Sequence, residues 1–271
     1  MDAHQHLPDT NRLSVITATI FLAYALLPFV DLPGQQISVQ LPGFLFQLAL
    51  NFSTVVSILV AVLAAAGTDW LIQGHPTAAG SVRLPNWLLP ALTAWVIGVP
   101  LTTLEVSTQW WAVFALGGLL FVLVLVAEYI VVDPDDARHA PASVGLIAVS
   151  FALYLVLTIS IRVANLRLYG VLFAVAPTVF LVTLRTLYLR SNGRWFYGWA
   201  AGIMLVIGQV AVGLHYLPLT PLRFGLVLVG LTYALVSLAS GIEDRREGKI
   251  IWIEPAIMLA IFWGLALLVR S

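Results

Sequence analysis

The stretch VSTQWWAVFALGGLLFVLVLVA, residues 106–127, runs without a charged residue between Glu105 and Glu128. At a rise of about 1.5 Å per residue, a helix of this length crosses the roughly 30 Å of hydrocarbon in a bilayer. Eight further windows lack a charge in the same way: 13–30, 32–68, 84–104, 139–161, 168–184, 195–222, 224–242 and 255–269. The sequence therefore predicts an all-α, polytopic transmembrane helix bundle of about nine spans.

The composition agrees with a chain that lies almost wholly in a membrane. Of its 271 residues, 61% are hydrophobic and 10% are charged, and the connections between windows are short. We therefore predict one integral membrane domain over 1–271, without a soluble domain. The net charge of zero gives no reason to expect a nucleic-acid partner, and the absence of cysteine excludes disulfides, thiolate metal sites and cysteine nucleophiles. The expected partners are membrane lipids and other membrane proteins, and we predict neither a cofactor nor a metal.

The basic residues predict an orientation. Short loops rich in Lys and Arg remain in the cytoplasm. With the N-terminus inside, four basic residues fall on the outer side, namely Arg162, Arg167, Arg223 and Arg270. Nine fall on the inner side: Arg12, Arg83, Arg138, Arg185, Arg190, Arg194, Arg245, Arg246 and Lys249. This asymmetry predicts N-in and C-out, in a plasma membrane of bacterial type. The first run has only Arg12 as a basic leader, so we interpret it as a retained span.

The 32–68 window is too long for one span. Its first part, 35–43, alternates polar residues and contains a Pro-Gly pair, so we interpret it as an outer interfacial loop that enters span 2. The following Gln47, Asn51 and Thr54 are spaced four and three apart, which predicts a polar face of that helix. Together with Gln209 of span 7, this face would either line a cavity for a solute or head group, or form hydrogen bonds between helices.

Charged residues collect at the predicted outer ends of several spans. Glu105, Arg162, Arg167, His215 and Arg223 all lie in or beside outer connections. Arginine is the preferred bidentate partner of phosphate and carboxylate, so these residues form a candidate anion site. The alternative is that the arginines snorkel to lipid phosphates and one of them pairs with Glu105.

A second charged group is expected at the inner ends. Asp69, Glu128, Arg185 and Glu254 lie at or about a turn inside their spans, where an isolated charge is costly. We therefore expect these side chains to meet, either as a structural ion-pair cluster or as the coupling group of an ion-driven carrier. The inner loop 133–139 is acidic and fits a solvated turn or, less simply, a Mg²⁺ or Ca²⁺ site.

Small residues predict where helices approach closely. Gly198 and Gly202 form a small-xxx-small pair in span 7, and Gly117 with Gly118 opens a close-approach site in span 4.

The sequence lacks the characteristic residues of several classes of membrane protein and enzyme. The one lysine, Lys249, lies in a loop, whereas a rhodopsin needs a lysine inside a helix, and no nucleophile elbow or zinc-protease motif occurs. Intramembrane prenyltransferases bind diphosphate through two aspartate-rich motifs, but the loop after span 6 contains no acid. The sequence leaves two alternatives. The first is a non-enzymatic small-solute transporter or a membrane subunit of a larger assembly. The second is an intramembrane enzyme that acts on a lipid or lipid-linked substrate.

Overall fold

The computed structural model describes residues 8–30, 35–41, 44–50, 52–75, 84–191, 193–244, 248 and 250–269. Within them the chain forms a hairpin, a short 3₁₀ turn (Leu27–Phe29) and these helices: α1 (Thr10–Leu26), α2 (Phe52–Ile72), α3 (Leu84–Thr103), α4 (Thr108–Val131), α5 (His139–Val163), α6 (Leu168–Arg190), α7 (Tyr197–His215), α8 (Pro221–Glu243) and α9 (Ile250–Leu268). Eight of the helices are long and apolar enough to cross a membrane, and α3 has a shorter apolar stretch, Asn86–Thr102. The protein is a membrane protein, and the prediction of an all-α helix bundle is confirmed.

The hairpin corrects the prediction of an interfacial loop. Strands β1 (Gln35–Leu41) and β2 (Phe44–Leu50) pair antiparallel along their whole lengths, while residues 42 and 43 lie outside the described part. In β1, the apolar Ile37, Val39 and Leu41 alternate with polar residues, which is the two-residue period of a strand. The prediction of a loop at 35–43 is wrong because this alternation is the pattern of a strand.

Two compact units divide the chain, Met1–Ala142 and Ser143–Ser271. In the first unit, α2 packs on α1 and α3, and α4 packs on α1 and α3. Tyr24 is fully buried there, and its hydroxyl donates to the carbonyl of Ala94 on α3. A Cβ atom added to Gly117 would lie 2.8 Å from Ile97, so the predicted close approach at Gly117–Gly118 is confirmed.

The second unit is built around α8. That helix packs on α6, α7 and α9, and 67% of its membrane window is buried, against 11% for α9. A Cβ atom on Gly230 would lie 2.6 Å from Cβ of Phe262 on α9, and one on Gly225 would lie 2.8 Å from Leu155 on α5. Glycine therefore allows α9 to approach α8 closely, and it lets side chains of α5 pack against α8 at Gly225.

The predicted small-residue contact in span 7 is wrong. A Cβ atom on Gly198 or on Gly202 would meet nothing within 4 Å, and both residues are exposed. The small-xxx-small spacing identifies surfaces that can approach, but in the second unit the close contacts occur at Gly225 and Gly230 of α8. The orientation and the single domain over 1–271 remain predictions.

Candidate functional site

A long groove in the second unit is the most developed candidate site. It encloses about 790 Å³ between α5, the end of α6, α8 and α9. Apolar side chains line most of it, among them Val144, Phe151 and Leu155 on α5 and Met258 and Phe262 on α9. Val144 is 67% exposed, so the α5 wall of this α5/α9 groove is open at the surface of the unit.

One end of the groove is polar. Arg190, in the last turn of α6, donates from Nη1 to Glu254 Oε1 at 3.1 Å and from Nη2 to the Tyr233 hydroxyl at 2.8 Å. Tyr233 in turn donates to Glu254 Oε1 at 3.2 Å, and its ring lies 5.2 Å from the Arg190 guanidinium carbon. The side chains of Arg190 and Glu254 are 18% and 35% exposed, so the ion pair is largely shielded from solvent. The positive charge is thus neutralised inside the groove.

Two serines and Asp244 also line the groove at its polar end. Ser240 accepts from Arg190 Nη1 at 3.4 Å and donates to the carbonyl of Ser237 at 2.9 Å. Ser143, in the first turns of α5, is only 9% exposed. Its hydroxyl oxygen nevertheless has no hydrogen-bond partner among the described residues. A buried hydroxyl without a partner is costly and is a position where a bound molecule would supply the missing bond.

Chain topology explains why these residues meet. The start of α5, the end of α6, the end of α8 and the start of α9 lie at one end of the unit, since consecutive helices run in opposite directions. Arg190 also gains from its place at the C-terminal, negative end of the α6 dipole. The sequence predicts Glu254 as a site residue, but not Arg190, Tyr233 or Ser143. A signal did exist, because Arg190 and Glu254 are opposite charges that flank spans at the same predicted membrane surface.

The opposite end of the second unit holds a smaller, polar cavity of about 620 Å³. Three of the five residues of the predicted outer anion group line it: Arg162, Arg167 and His215. Arg162 donates to the carbonyl of His215 at 3.1 Å and to that of Leu217 at 2.9 Å, which ties the end of α5 to the end of α7. We call this the basic cavity.

The other two members of that group are not among the described residues that line the cavity. Arg223 donates through Nε and Nη2 to the carbonyl of Val269 and thereby caps the end of α9 instead of lining the cavity. Glu105 is exposed in the first unit, in the connection between α3 and α4. As a five-residue site the outer group therefore remains untested, but its arginines divide into one that caps a helix and two that line the basic cavity.

The predicted inner cluster divides between the units. Asp69 and Glu128 belong to the first unit, where Asp69 accepts from Gln73 at 2.7 Å and Glu128 is fully buried in α4. Arg185 and Glu254 belong to the second, where Arg185 is 1% exposed and its guanidinium carbon lies 5.5 Å from the Tyr188 ring. A meeting of all four side chains stays a prediction.

The predicted polar face of span 2 is corrected at its first member. Gln47 lies in β2, opposite Ser38, and α2 begins only at Phe52, so Gln47 is not on that helix. Asn51 and the side chain of Thr54 lie outside the described part of the chain. Gln209 is on α7 and is exposed. The spacing of Gln47, Asn51 and Thr54 would form one face only if all three lay on a helix. The helix begins at Phe52, later than the charge-free window indicated.

The acidic connection after α4 bonds mainly with itself. Asp136 accepts from Nε and Nη2 of Arg138 at 3.1 and 2.8 Å, and this hydrogen bonding raises the pKa of the Arg138 guanidinium. Asp133 accepts from the backbone of Asp135 at 3.0 Å. These contacts are those of a structured turn, and the choice between a solvated turn and a cation site remains a prediction.

Comparisons with known proteins give a family but no characterised relative. The chain has no match among curated proteins and none among solved structures. A family model does match residues 32–269, which include the hairpin and the helices α2 to α9 up to the end of the described chain. The protein therefore belongs to the family described as proteins of unknown function, DUF5656.

Proposed function

We propose that this membrane protein binds a single-chain, uncharged amphiphile in the α5/α9 groove and so handles a lipid or lipid-linked molecule. One observation carries the proposal. The groove is apolar along most of its length, and its polar end holds the Arg190–Glu254 ion pair, Asp244 and the unpartnered hydroxyl of Ser143. An amphiphile has the same division between an apolar chain and a polar head.

The length of the groove fits one chain in one leaflet. Its lining follows α5 from Ser143 to Leu155, a difference of twelve positions, or about 18 Å at roughly 1.5 Å per residue. Half of the hydrocarbon thickness of a bilayer is about 15 Å. A chain with its head at Ser143 would therefore extend to about the middle of the membrane. The exposed Ala148 and Ala152 leave the α5 side open for entry from the lipid.

The polar end favours an uncharged, hydroxyl-bearing head group. Arg190 already bonds to Glu254, so an anionic head would compete with that carboxylate and be repelled by it. A hydroxyl on the ligand would instead supply the hydrogen bond that Ser143 lacks. Neutral monoacylglycerols and lipid-linked alcohols belong to this chemical class.

This geometry favours the lipid-substrate alternative over the carrier of a small polar solute. Apolar walls would not replace the hydration of such a solute, whereas they match an acyl or isoprenoid chain. The proposal is one of binding and contains no chemical step. Membrane lipids are thus the proposed partners, with a bacterial-type plasma membrane as the location that cell fractionation would test.

Native mass spectrometry of the delipidated full-length protein with monopalmitoylglycerol tests the proposal. Ala148→Phe fills the groove from its open wall. It should raise the apparent Kd for the lipid at least about tenfold, which is a loss of about 1.4 kcal/mol in binding free energy. Ala260→Phe is the matched control, because Ala260 is exposed on α9 and does not line the groove. Equal binding by wild type and Ala148→Phe would contradict the proposal.

A further inference from the structure

We propose that the basic cavity binds a phosphate group, at the end of the second unit opposite to the polar end of the groove. The cavity is lined by Arg162, Asn165, Arg167, His215 and apolar residues, and no carboxylate is among the described residues that line it. Two guanidinium groups without an acid between them raise the free energy of the empty cavity by repulsion. A bound anion removes that repulsion.

The two arginines have different contacts, and the difference matters for binding. Arg162 is held by the carbonyls of His215 and Leu217 and stacks over the Phe224 ring at 5.5 Å, so its position is fixed by the fold. Arg167 is exposed, and its guanidinium has no hydrogen-bond or ion-pair partner among the described residues. All five of its N–H donors are therefore available to a ligand.

Backbone geometry adds to the positive potential. Arg167 is the N-cap residue of α6, but its side chain makes no cap hydrogen bond, so the first amides of a 23-residue helix are left for another acceptor. Asn165 turns the chain with a φ of 48°, in the left-handed region that asparagine tolerates better than most residues. This turn lets α6 begin directly beside the end of α5, with Arg162 and Arg167 on the same cavity.

His215 gives an independent indication of a missing partner. Its Nδ1 atom is shielded from solvent and has no hydrogen-bond partner among the described residues, although the residue lines the cavity. The ring packs edge-on against Tyr216, with centroids 5.5 Å apart. Two guanidinium groups, an imidazole and a helix N-terminus form the donor set of a phosphate site.

Inorganic phosphate and the phosphate of an anionic lipid share this chemistry, and two measurements separate them. The first is isothermal titration of the full-length protein, in neutral detergent, with inorganic phosphate. The second is native mass spectrometry with phosphatidylglycerol. Binding in the titration would identify a soluble phosphate, and binding only in the second experiment would identify a lipid head group.

Arg167→Gln is the decisive variant, because the guanidinium has no hydrogen-bond or ion-pair partner among the described residues that the substitution would remove. The substitution should raise the Kd of whichever ligand binds by about tenfold, since charge-assisted hydrogen bonds are roughly twice as strong as neutral ones. Arg194→Gln is the matched control, a loss of charge at a side chain that is 67% exposed outside the cavity. His215→Gln is a second variant with the same expected direction. Absence of binding by both ligands, or equal weakening by Arg194→Gln, would overturn the site.

Discussion

The α5/α9 groove and the basic cavity lie at opposite ends of the same helices, and they handle charge in opposite ways. In the groove, Arg190 pairs with Glu254, and a second carboxylate, Asp244, lines the same groove. In the cavity, Arg162 and Arg167 face no carboxylate among the described lining residues. One end of the unit therefore suits a neutral amphiphile, and the other suits an anion.

The difference shows that an arginine near a helix end can have any of several structural roles. Arg190, Arg223 and Arg167 each lie at a helix end in the second unit. The first forms an ion pair, the second caps α9 through the Val269 carbonyl, and the third has no partner among the described residues. The partner on the neighbouring helix, and not the arginine itself, decides which role results.

Topology provides the prediction with the largest, all-or-none effect. If the N-terminus is cytoplasmic, the polar end of the groove lies inside and the basic cavity outside. Reporter fusions after Lys249 and at Ser271 should then report opposite sides of the membrane, because α9 crosses between them. If both fusions reported the same side, α9 would not cross the membrane. The sides assigned to the polar end of the groove and to the basic cavity would then be wrong.

Loss of the groove ion pair should have the largest energetic effect. Glu254→Ala removes the acceptor of hydrogen bonds from Arg190 and Tyr233. Hydrogen bonds to charged groups contribute roughly 1.5–3 kcal/mol each, so the free energy of unfolding should fall by about 3 kcal/mol. Denaturation in detergent measures it, with the exposed Glu105→Ala as a control that changes little. An equal loss in both variants would mean that the ion pair contributes nothing specific.

The α9 wall of the groove can be tested through its closest contact. Gly230→Ala places a Cβ atom 2.6 Å from Cβ of Phe262, which neither helix can accommodate without moving. Overpacking of this kind costs about 1–3 kcal/mol. Gly213→Ala on α7 meets nothing within 4 Å and should instead stabilise the helix by up to about 1 kcal/mol. Thermal unfolding of the two variants should therefore shift in opposite directions, and a shared stabilisation would refute the α8–α9 contact.

A smaller stability effect should separate the two arginines of the basic cavity. Arg162→Gln removes hydrogen bonds to the carbonyls of His215 and Leu217 and should cost about 1.5 kcal/mol, since these bonds are partly exposed. Arg167→Gln should change the free energy of unfolding by less than about 0.5 kcal/mol. If Arg167→Gln proved the more destabilising variant, its guanidinium would have a structural role that the proposed site does not include.

The helices of this fold could be predicted from the sequence, whereas the hairpin and most site residues could not. Charge-free windows locate spans because every bilayer-crossing helix must be apolar over its length. The strand pair at 35–50 was not predicted because it lies within the charge-free window 32–68, and hydropathy does not distinguish a strand from a helix. Tyr233 and Ser143 are ordinary helix residues by sequence, and only the packing of α5, α6, α8 and α9 brings them to Arg190 and Glu254.

Binding of an amphiphile in the α5/α9 groove is tested by measuring monopalmitoylglycerol binding with native mass spectrometry under identical conditions for four proteins: the wild type, Ala148→Phe, Ala260→Phe and Arg167→Gln. We expect only Ala148→Phe to lose the lipid, because Ala148 lines the α5/α9 groove while Ala260 and Arg167 do not. Retention of the lipid by Ala148→Phe, or an equal loss in Arg167→Gln, would contradict the assignment of the amphiphile to the groove.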